Sequence, residues 1–235
     1  LTGRYVLPGG VSGILPENHD SATKTVLGVT GDLDDSAFCD VVLGQPASAP
    51  FIANKLWLLL ASDEAPSPGT LDRLVAAYGP NRDLRSLTKA ILTDQEFDGR
   101  ANTLVNTPVE WLLGAVRSLA VPVDSPQVLA EFDAVMAVMG QRLFYPPDVG
   151  GWPRGMPWLS PAGTAARVWA ANRLVTLADL SVVEDAAPGD RLDAVGYQLG
   201  IGTWSARART ALAPLAASPP KLVAAAVNTP EYLTS

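Results

Sequence analysis

Apolar residues recur every three or four positions through most of the chain after residue 34, which is the spacing of one face of an α-helix. The clearest case is TPVEWLLGAVRSLAV at 107–121, where Thr107, Pro108 and Glu110 predict a capping box with proline in the first turn. Its predicted apolar stripe is Val109, Leu112, Leu113, Val116, Leu119 and Ala120. We therefore expect a mainly α-helical protein, an irregular bundle packed around this helix.

Start and stop signals of the same kind delimit the other helices. They are predicted near 35–43, 50–62, 70–79, 84–92, 126–139 and 161–180, with two or three more after an exposed connection at 181–190. Residues 1–33 are rich in Gly, Pro, Thr and Asp, which predicts an irregular segment with a small hairpin. We interpret 1–235 as a single helical domain, with 34–180 as its core and 181–235 as C-terminal helices.

Charge and composition exclude several classes of function. The net charge is −7 and the sequence pI is about 4.7, so no nucleic acid is expected, because such a partner requires clustered Lys and Arg. No run approaches the roughly 18 apolar residues of a membrane span. The richest run, FIANKLWLLLA, carries Lys55 and predicts a buried helix. Cys39 is the only cysteine, which excludes an intrachain disulfide and a multi-cysteine zinc site.

The segment MGQRLFYPPDVGGWPRGMPW, 139–158, interrupts the helical pattern with proline, glycine and tryptophan. Gly140 is placed to end the preceding helix, Pro146-Pro147 enforces an extended stretch, and paired glycines permit a turn. Trp152 and Trp158 have large surfaces to bury. The sequence therefore predicts a rigid loop that covers one end of the helical bundle.

Two roles fit this loop, and the sequence favours the first. As a latch, it would plug both indoles into the helical core. As the lining of a cleft, Trp152 or Trp158 would stack on a sugar or another ring, with Gln141 and Arg154 as hydrogen-bonding partners. Arg167, on the following helix, would bind a ligand anion or, by preference, form an ion pair with Asp148.

The candidate catalytic residues are few. His19 is the only histidine, with Asp20 beside it and Lys24 four positions later, so these three could form a small acid–base site. The alternative, which we favour, is a turn in which Asp20 caps backbone amides. Glu110 is also a candidate, although its position already explains it as a cap, and glycoside hydrolysis would need a second carboxylate.

Metal and cofactor sites are not predicted. Asp32, Asp34, Asp35 and Asp40 form an acidic stretch, but it lacks the glycine and distal glutamate of a calcium loop, so we expect helix capping instead. The nucleophile elbow, the P-loop and the dinucleotide fingerprint are missing from the sequence.

Two segments resemble each other, LRSLTKAILTDQEFDG at 84–99 and PKLVAAAVNTPEYLTS at 220–235. Each gives an apolar helix, a threonine-containing break, and then glutamate with an aromatic residue. We interpret the match as a recurring helix-end device and not as a duplicated domain.

Five motifs occur in a fixed order: HDSATKTVLG, FIANKLW, LTKAILTDQEF, PVEWLLGAVRSL and the 139–158 loop. Over about residues 1–180, the chain resembles the C-terminal half of a bacterial family known as domain of unknown function 1800. The resemblance implies a larger, mainly helical and often exported protein, whose members are frequently encoded near a sulfatase-like companion family. Members often carry a basic residue just before P-V-E, where this chain has Val105, Asn106 and Thr107. If that residue binds an anion in relatives, the same role is in doubt for this chain.

Two main hypotheses follow for function. The first is an extracytoplasmic binding or assembly module, with the sulfatase-like companion, a cell-envelope glycan or the upstream half of its own precursor as partner. The absence of a start methionine motivates the last of these, and we expect 1–33 to pack on that half. The second is a hydrolase of a polysaccharide or ester that uses His19 and Asp20 near the Trp152 loop. Metal-dependent redox chemistry is a weaker third.

Overall fold

The computed structural model describes residues 3–100 and 103–234, and it confirms a mainly α-helical protein. The helices are α1 (Asp35–Leu43), α2 (Ser48–Leu60), α3 (Pro68–Tyr78), α4 (Leu84–Leu92), α5 (Gln95–Asp98), α6 (Pro108–Ser118), α7 (Pro126–Val138), α8 (Pro161–Leu174), α9 (Ser181–Glu184), α10 (Arg191–Leu199), α11 (Ala206–Leu212), α12 (Pro219–Ala226) and α13 (Pro230–Leu233). Within the described residues, none of these helices combines the length and apolar character needed to cross a bilayer.

Short β-hairpins occupy the N-terminal segment. Strand β1 (Arg4–Val6) pairs antiparallel with β2 (Ser12–Ile14), and β3 (Lys24–Val26) pairs antiparallel with β4 (Val29–Gly31). Leu27 and Gly28 form the two-residue turn of the second hairpin, both with positive φ, as the tight turns of right-twisted hairpins require. The predicted irregular segment thus holds two hairpins where the sequence suggested one.

The chain divides into two compact units. Unit 1 comprises Leu1–Leu60 and Ala65–Phe97, and unit 2 comprises Ala61–Glu64 and Asp98–Ser235. The interpretation of 1–235 as a single domain stays a prediction.

In unit 1, α2, α3 and α4 pack on one another around Trp57, Leu74 and Leu87, which are fully buried. Two aspartates cap helices of this unit, one of them in the acidic stretch where capping was expected. Asp34 accepts a hydrogen bond from the Ala37 amide at 2.8 Å, and Asp83 accepts from the amides that open α4. The acidic stretch therefore supplies a helix cap.

In unit 2, α6 contributes buried residues to the core and packs against α7 and α10, whereas α12 packs against α8, α10 and α11. The predicted capping box is present, with Thr107 and Glu110 bonded to each other's backbone amides. The predicted stripe is wrong in part, because Leu113 is 47% exposed whereas Trp111 is fully buried. The Trp111 indole donates to the Val227 carbonyl at 2.7 Å, so the helix turns its tryptophan inward, where both ring and N–H are satisfied.

The segments around α8 and α9 also differ from expectation. Helix α8 ends at Leu174 and not near residue 180, and the predicted exposed connection contains α9. Val183 on α9 is fully buried in the core of unit 2. Val182 and Val183 are two apolar residues in a polar stretch, which is too short a pattern to predict a helix. The neighbouring helices decide which of the two is buried. Leu129 on α7 is exposed, although its neighbour Val128 is buried.

We expect Trp111→Phe to lower the free energy of unfolding by about 1–3 kcal/mol, because it leaves the buried Val227 carbonyl without its donor. Urea denaturation followed by circular dichroism measures the change. Trp169→Phe, at an exposed tryptophan of α8, is the matched control and should stay within about 0.5 kcal/mol. Equal losses in both variants would contradict this role for Trp111.

Candidate functional site

The loop 139–158, which we call the latch loop, is fastened to unit 2 near both ends. Near its start, buried Gln141 accepts a hydrogen bond from the Val109 amide at 2.9 Å. At its end, the Trp158 side chain is buried, and its carbonyl accepts from Arg167 Nη2 at 2.8 Å. The Gly140 φ of +92° ends α7 and turns the chain into the loop. These contacts fit a latch through Trp158, whereas Trp152, the second indole of the predicted latch, is only half-buried.

Arg167 fastens the latch loop from within the core. Its side chain is 1% exposed, and its guanidinium carbon lies 5.9 Å from the centroid of the Trp111 ring. Burial lowers the pKa of Arg167. The preferred ion pair with Asp148 is wrong, since exposed Asp148 accepts from the Gly150 amide at 2.6 Å. The Nε of Arg167 has no hydrogen-bond partner among the described residues.

The middle of the latch loop presents apolar side chains to solvent. Phe144 is 91% exposed, and Tyr145, Val149 and Met156 are also exposed. The Arg142 guanidinium carbon lies 4.4 Å from the centroid of the Tyr145 ring. We call these five side chains the loop tip. Trp152 is half-buried, and the ligand-binding roles assigned to Gln141, Trp152, Arg154, Trp158 and Arg167 stay predictions.

The histidine site lies in unit 1, and its acidic partner differs from the expected one. His19 Nε2 lies 2.9 Å from Asp32 Oδ1, and Lys24 Nζ lies 3.3 Å from the same oxygen. Lys24 also donates to the Ala22 and Asp20 carbonyls. Asp20 accepts from the Ala22 amide at 2.9 Å, as in the favoured turn. His19, Asp20 and Lys24 are thus brought together, with Asp32 as the shared carboxylate.

A cleft of about 550 Å³ opens in unit 2, between one face of α6, the turn at 199–203 and α13. Glu110 and Glu231 both line it, and among the described residues no Lys, Arg or His does. We call it the acidic cleft. The sequence identified Glu110 but missed Glu231, whose only signal was its place in the second of the two similar segments.

The carboxylates of Glu110 and Glu231 differ in the hydrogen bonds that their oxygens accept. Glu110 Oε2 accepts from the Thr107 amide and hydroxyl, both at 2.8 Å. Glu231 Oε1 accepts from the Ser205 amide at 3.1 Å, whereas its Oε2 is buried and has no partner among the described residues. Burial raises the pKa of Glu231, but hydrogen bonding from Ser205 outweighs burial and holds that pKa below its ordinary value. Glu231 is therefore ionised at neutral pH.

Tyr232 forms part of the cleft wall. It is 8% exposed, and its hydroxyl lies 3.5 Å from the Trp111 carbonyl, the outer limit of a hydrogen bond. Burial raises the pKa of Tyr232 far above its ordinary value, so the hydroxyl keeps its proton. A Cβ on Gly114 would lie 3.0 Å from that hydroxyl oxygen, which explains a glycine in the middle of α6.

The two similar segments share a hydrogen-bonding device, which we call the serine–glutamate clasp. In unit 1, Glu96 of α5 accepts from the amide of Ser67, the N-cap of α3. In unit 2, Glu231 of α13 accepts from the amide of Ser205, the N-cap of α11. The structure thus agrees with the interpretation that the two similar segments, 84–99 and 220–235, share a recurring arrangement at a helix end.

Metal ligands are not grouped in the parts of the chain that the structure describes, 3–100 and 103–234. No three His, Cys, Asp or Glu side chains lie close enough there to share an ion.

Fold and site together define a mainly α-helical protein with a latched loop and an acidic cleft. The chain belongs to the family described as protein of unknown function (DUF1800), whose model matches residues 1–234. The match extends through the C-terminal helices, beyond the region near 1–180 that the motifs covered. Comparisons with curated proteins and with solved structures gave no match.

We expect the effect of Gly114→Ala on the free energy of unfolding to depend on the Tyr232 hydroxyl. In the Tyr232→Phe background, the next atom lies 3.9 Å away, so alanine should stabilise α6 by its usual advantage of about 0.5–1 kcal/mol. With the hydroxyl present, that gain should be lost. A double-mutant cycle by urea denaturation measures the coupling, and the same effect in both backgrounds would refute the contact.

Acid should weaken unit 1 through Asp32. The hydrogen bond with His19 is the main cause that lowers the pKa of Asp32 from 3.8. The stability that ionised Asp32 contributes is therefore fully present above pH 3.8, the ordinary pKa, and is lost as the pH falls through the lowered pKa of the folded state. We expect Asp32→Asn to reduce the melting temperature at pH 6 and to match wild type in stronger acid. Asp40→Asn, at an exposed aspartate of α1, is the control and should show no such convergence.

Proposed function

We propose that this chain is a binding or assembly module that docks a partner protein through the loop tip. The observation that carries the proposal is the contrast within the latch loop. Its ends are buried and hydrogen-bonded, while Phe144, Tyr145, Val149 and Met156 lie in solvent. Apolar side chains that are exposed together on an ordered loop are typical of interaction sites.

The composition of the loop tip suits a protein interface. Aromatic side chains and arginine dominate interface energetics, and here Arg142 already stacks on Tyr145. Proline limits the conformations of the loop, and the buried Trp158 and Gln141 hold its ends. Docking would therefore order little additional chain and lose little conformational entropy.

The identity of the partner is motivated by the family resemblance. The sulfatase-like companion is our first candidate, and a cell-envelope glycan is the alternative to a protein partner. An extracytoplasmic location belongs to the same proposal, because that companionship and frequent export are what the resemblance implies.

A hydrolase is the second candidate, and the acidic cleft is the observation that favours it. Glu110 and Glu231 line one cavity, and glycosidases use two carboxylates. One of the pair must act as an acid with a raised pKa. The lowered pKa of Glu231 leaves that role to Glu110, whose Oε2 already accepts from the Thr107 amide and hydroxyl. His19 Nε2 is already bonded to Asp32. Binding without chemistry is the better supported function.

The docking proposal predicts that Phe144→Ser weakens binding of the purified sulfatase-like companion by about 2 kcal/mol, the loss typical of a central aromatic contact. Interferometry on the immobilised chain measures the dissociation constant. Phe51→Ser, at an exposed phenylalanine of α2, is the matched control and should bind as wild type does.

Two results would overturn docking through the loop tip to this companion. One is the lack of any binding by the wild-type chain. The other is equal weakening by Phe144→Ser and Phe51→Ser, which would trace the loss to a general effect of removing an exposed phenylalanine.

A further inference from the structure

An apolar groove of about 350 Å³ opens on unit 2 between α7 and α8. Apolar side chains of both helices and one carboxylate line it: Glu131, Ala134, Val135, Val138, Ala166 and Trp169. Trp169 is 55% exposed and Val138 is 64% exposed, so the groove presents apolar surface to solvent. We call this surface the α7–α8 groove.

Trp169 does not serve the core of unit 2. The core side of α8 consists of Arg167, Ala170, Ala171 and Leu174, which are all buried. At the spacing of an α-helix, Trp169 lies on the other side of α8 from these residues. A single exposed apolar residue is ordinary, but a large indole beside an open apolar groove is typical of an interaction surface.

The α7–α8 groove is electrically neutral, although the chain has a net charge of −7. Among the described residues that line it, Glu131 is the one ionisable side chain. Arg173 neutralises Glu131, because its Nε donates to Oε2 at 2.8 Å and its Nη2 to Oε1 at 3.5 Å. Two copies of a protein with this net charge repel each other, and they repel least where both present a neutral surface. The charge pattern therefore suits a second copy of this chain.

The area of the surface reaches what a stable dimer needs. Exposed alanines of α7 and α8 extend the face around the groove: Ala130, Ala134, Ala137, Ala162 and Ala165. With Trp169 and Val138, they offer each copy on the order of 600 Å² of apolar surface, and standard interfaces bury roughly 600–1,000 Å² per partner. A patch of this size is also at the upper limit of what monomeric proteins expose.

The shape of the surface is complementary to itself. In a two-fold dimer the same patch of both copies meets, so a projecting side chain must find its cavity on that same patch. The α7–α8 groove meets this condition, because the half-exposed Trp169 borders the cavity that Ala134 and Val138 line. The indole of each copy can therefore enter the groove of the other.

We propose that the chain forms a two-fold homodimer in which the α7–α8 grooves of two copies face each other. The Trp169 indole of each copy inserts beside Val138 of the other, and the paired Glu131 and Arg173 lie at the rim. The interface is near the lower limit of area, so the dimer is reversible, with a dissociation constant in the micromolar range. It is independent of the loop tip.

Sedimentation equilibrium of the intact chain, from about 1 µM to about 500 µM, tests the proposal. Wild type should pass from monomer to dimer and stop there, because a two-fold interface is closed. The association should persist at high salt, since salt does not screen the burial of apolar surface. A chain that stays monomeric throughout leaves the groove to another occupant and overturns the proposal, as does growth beyond a dimer.

Two variants test the contact itself. Trp169→Ser should raise the dissociation constant about tenfold or more, the loss typical of a central aromatic contact. Tyr197→Ser, at an exposed tyrosine of α10, is its matched control and should dimerise as wild type does. Ala134→Glu brings like charges into the interface and should weaken the dimer similarly. Ala211→Glu, at an exposed alanine of α11, adds the same charge elsewhere and is the second control.

Amide chemical shifts locate the contact without any variant. Those of Val138 and Trp169 should move as the concentration of wild type rises, whereas that of Tyr197 should not. Circular dichroism at about 1 µM, where wild type is monomeric, shows whether each variant is folded.

The dimer must also be distinguished from association through the loop tip. Phe144→Ser should dimerise as wild type does, and loss of the dimer in that variant would place the contact at the loop tip and overturn the proposal. It is also overturned if either Trp169→Ser or Ala134→Glu is folded and keeps the wild-type dissociation constant, because another surface would then join the copies.

Discussion

The buried indole of Trp111 is the contact on which both candidate sites depend. Its N–H donates to the Val227 carbonyl at 2.7 Å, which fixes α6 to the end of α12. One ring face lies against the Arg167 guanidinium, which in turn holds the Trp158 carbonyl and the latch loop. The Trp111 carbonyl lies 3.5 Å from the Tyr232 hydroxyl in the wall of the acidic cleft. One residue therefore positions the exposed loop tip and the cleft in the same unit.

Arg167 illustrates a cation that is buried without a carboxylate partner. Its charge is met by the Trp158 carbonyl and by the electron-rich face of Trp111. A carbonyl and a ring face neutralise less than a carboxylate does, and burial accordingly lowers the pKa of Arg167. The arrangement gives the latch loop a defined end, because a guanidinium inside the core tolerates few alternative positions.

The acidic cleft shows what a small difference between similar segments can do. Both clasps join a glutamate to the amide of a helix-capping serine. Thr70 completes the first clasp and leaves a structural hydrogen-bond cluster. Ala208 leaves the second with an unbonded oxygen beside an open cavity. The same backbone arrangement is thus completed by a threonine hydroxyl in unit 1 and left without that hydrogen bond in unit 2.

Local patterns in the sequence determined the helical class, the helix starts at Asp34 and Thr107, and the glycine turn at Gly140 that leads from α7 into the latch loop. Each of these follows from residues within a few positions of one another, through capping, proline geometry and apolar spacing. Only the tertiary structure decided that Trp111 and not Leu113 faces the core, that Val183 of α9 is buried, and that Glu231 shares a cavity with Glu110. These outcomes depend on groups more than a hundred residues apart, such as Trp111 and Val227, and a periodic pattern cannot specify which distant carbonyl or helix face completes a contact.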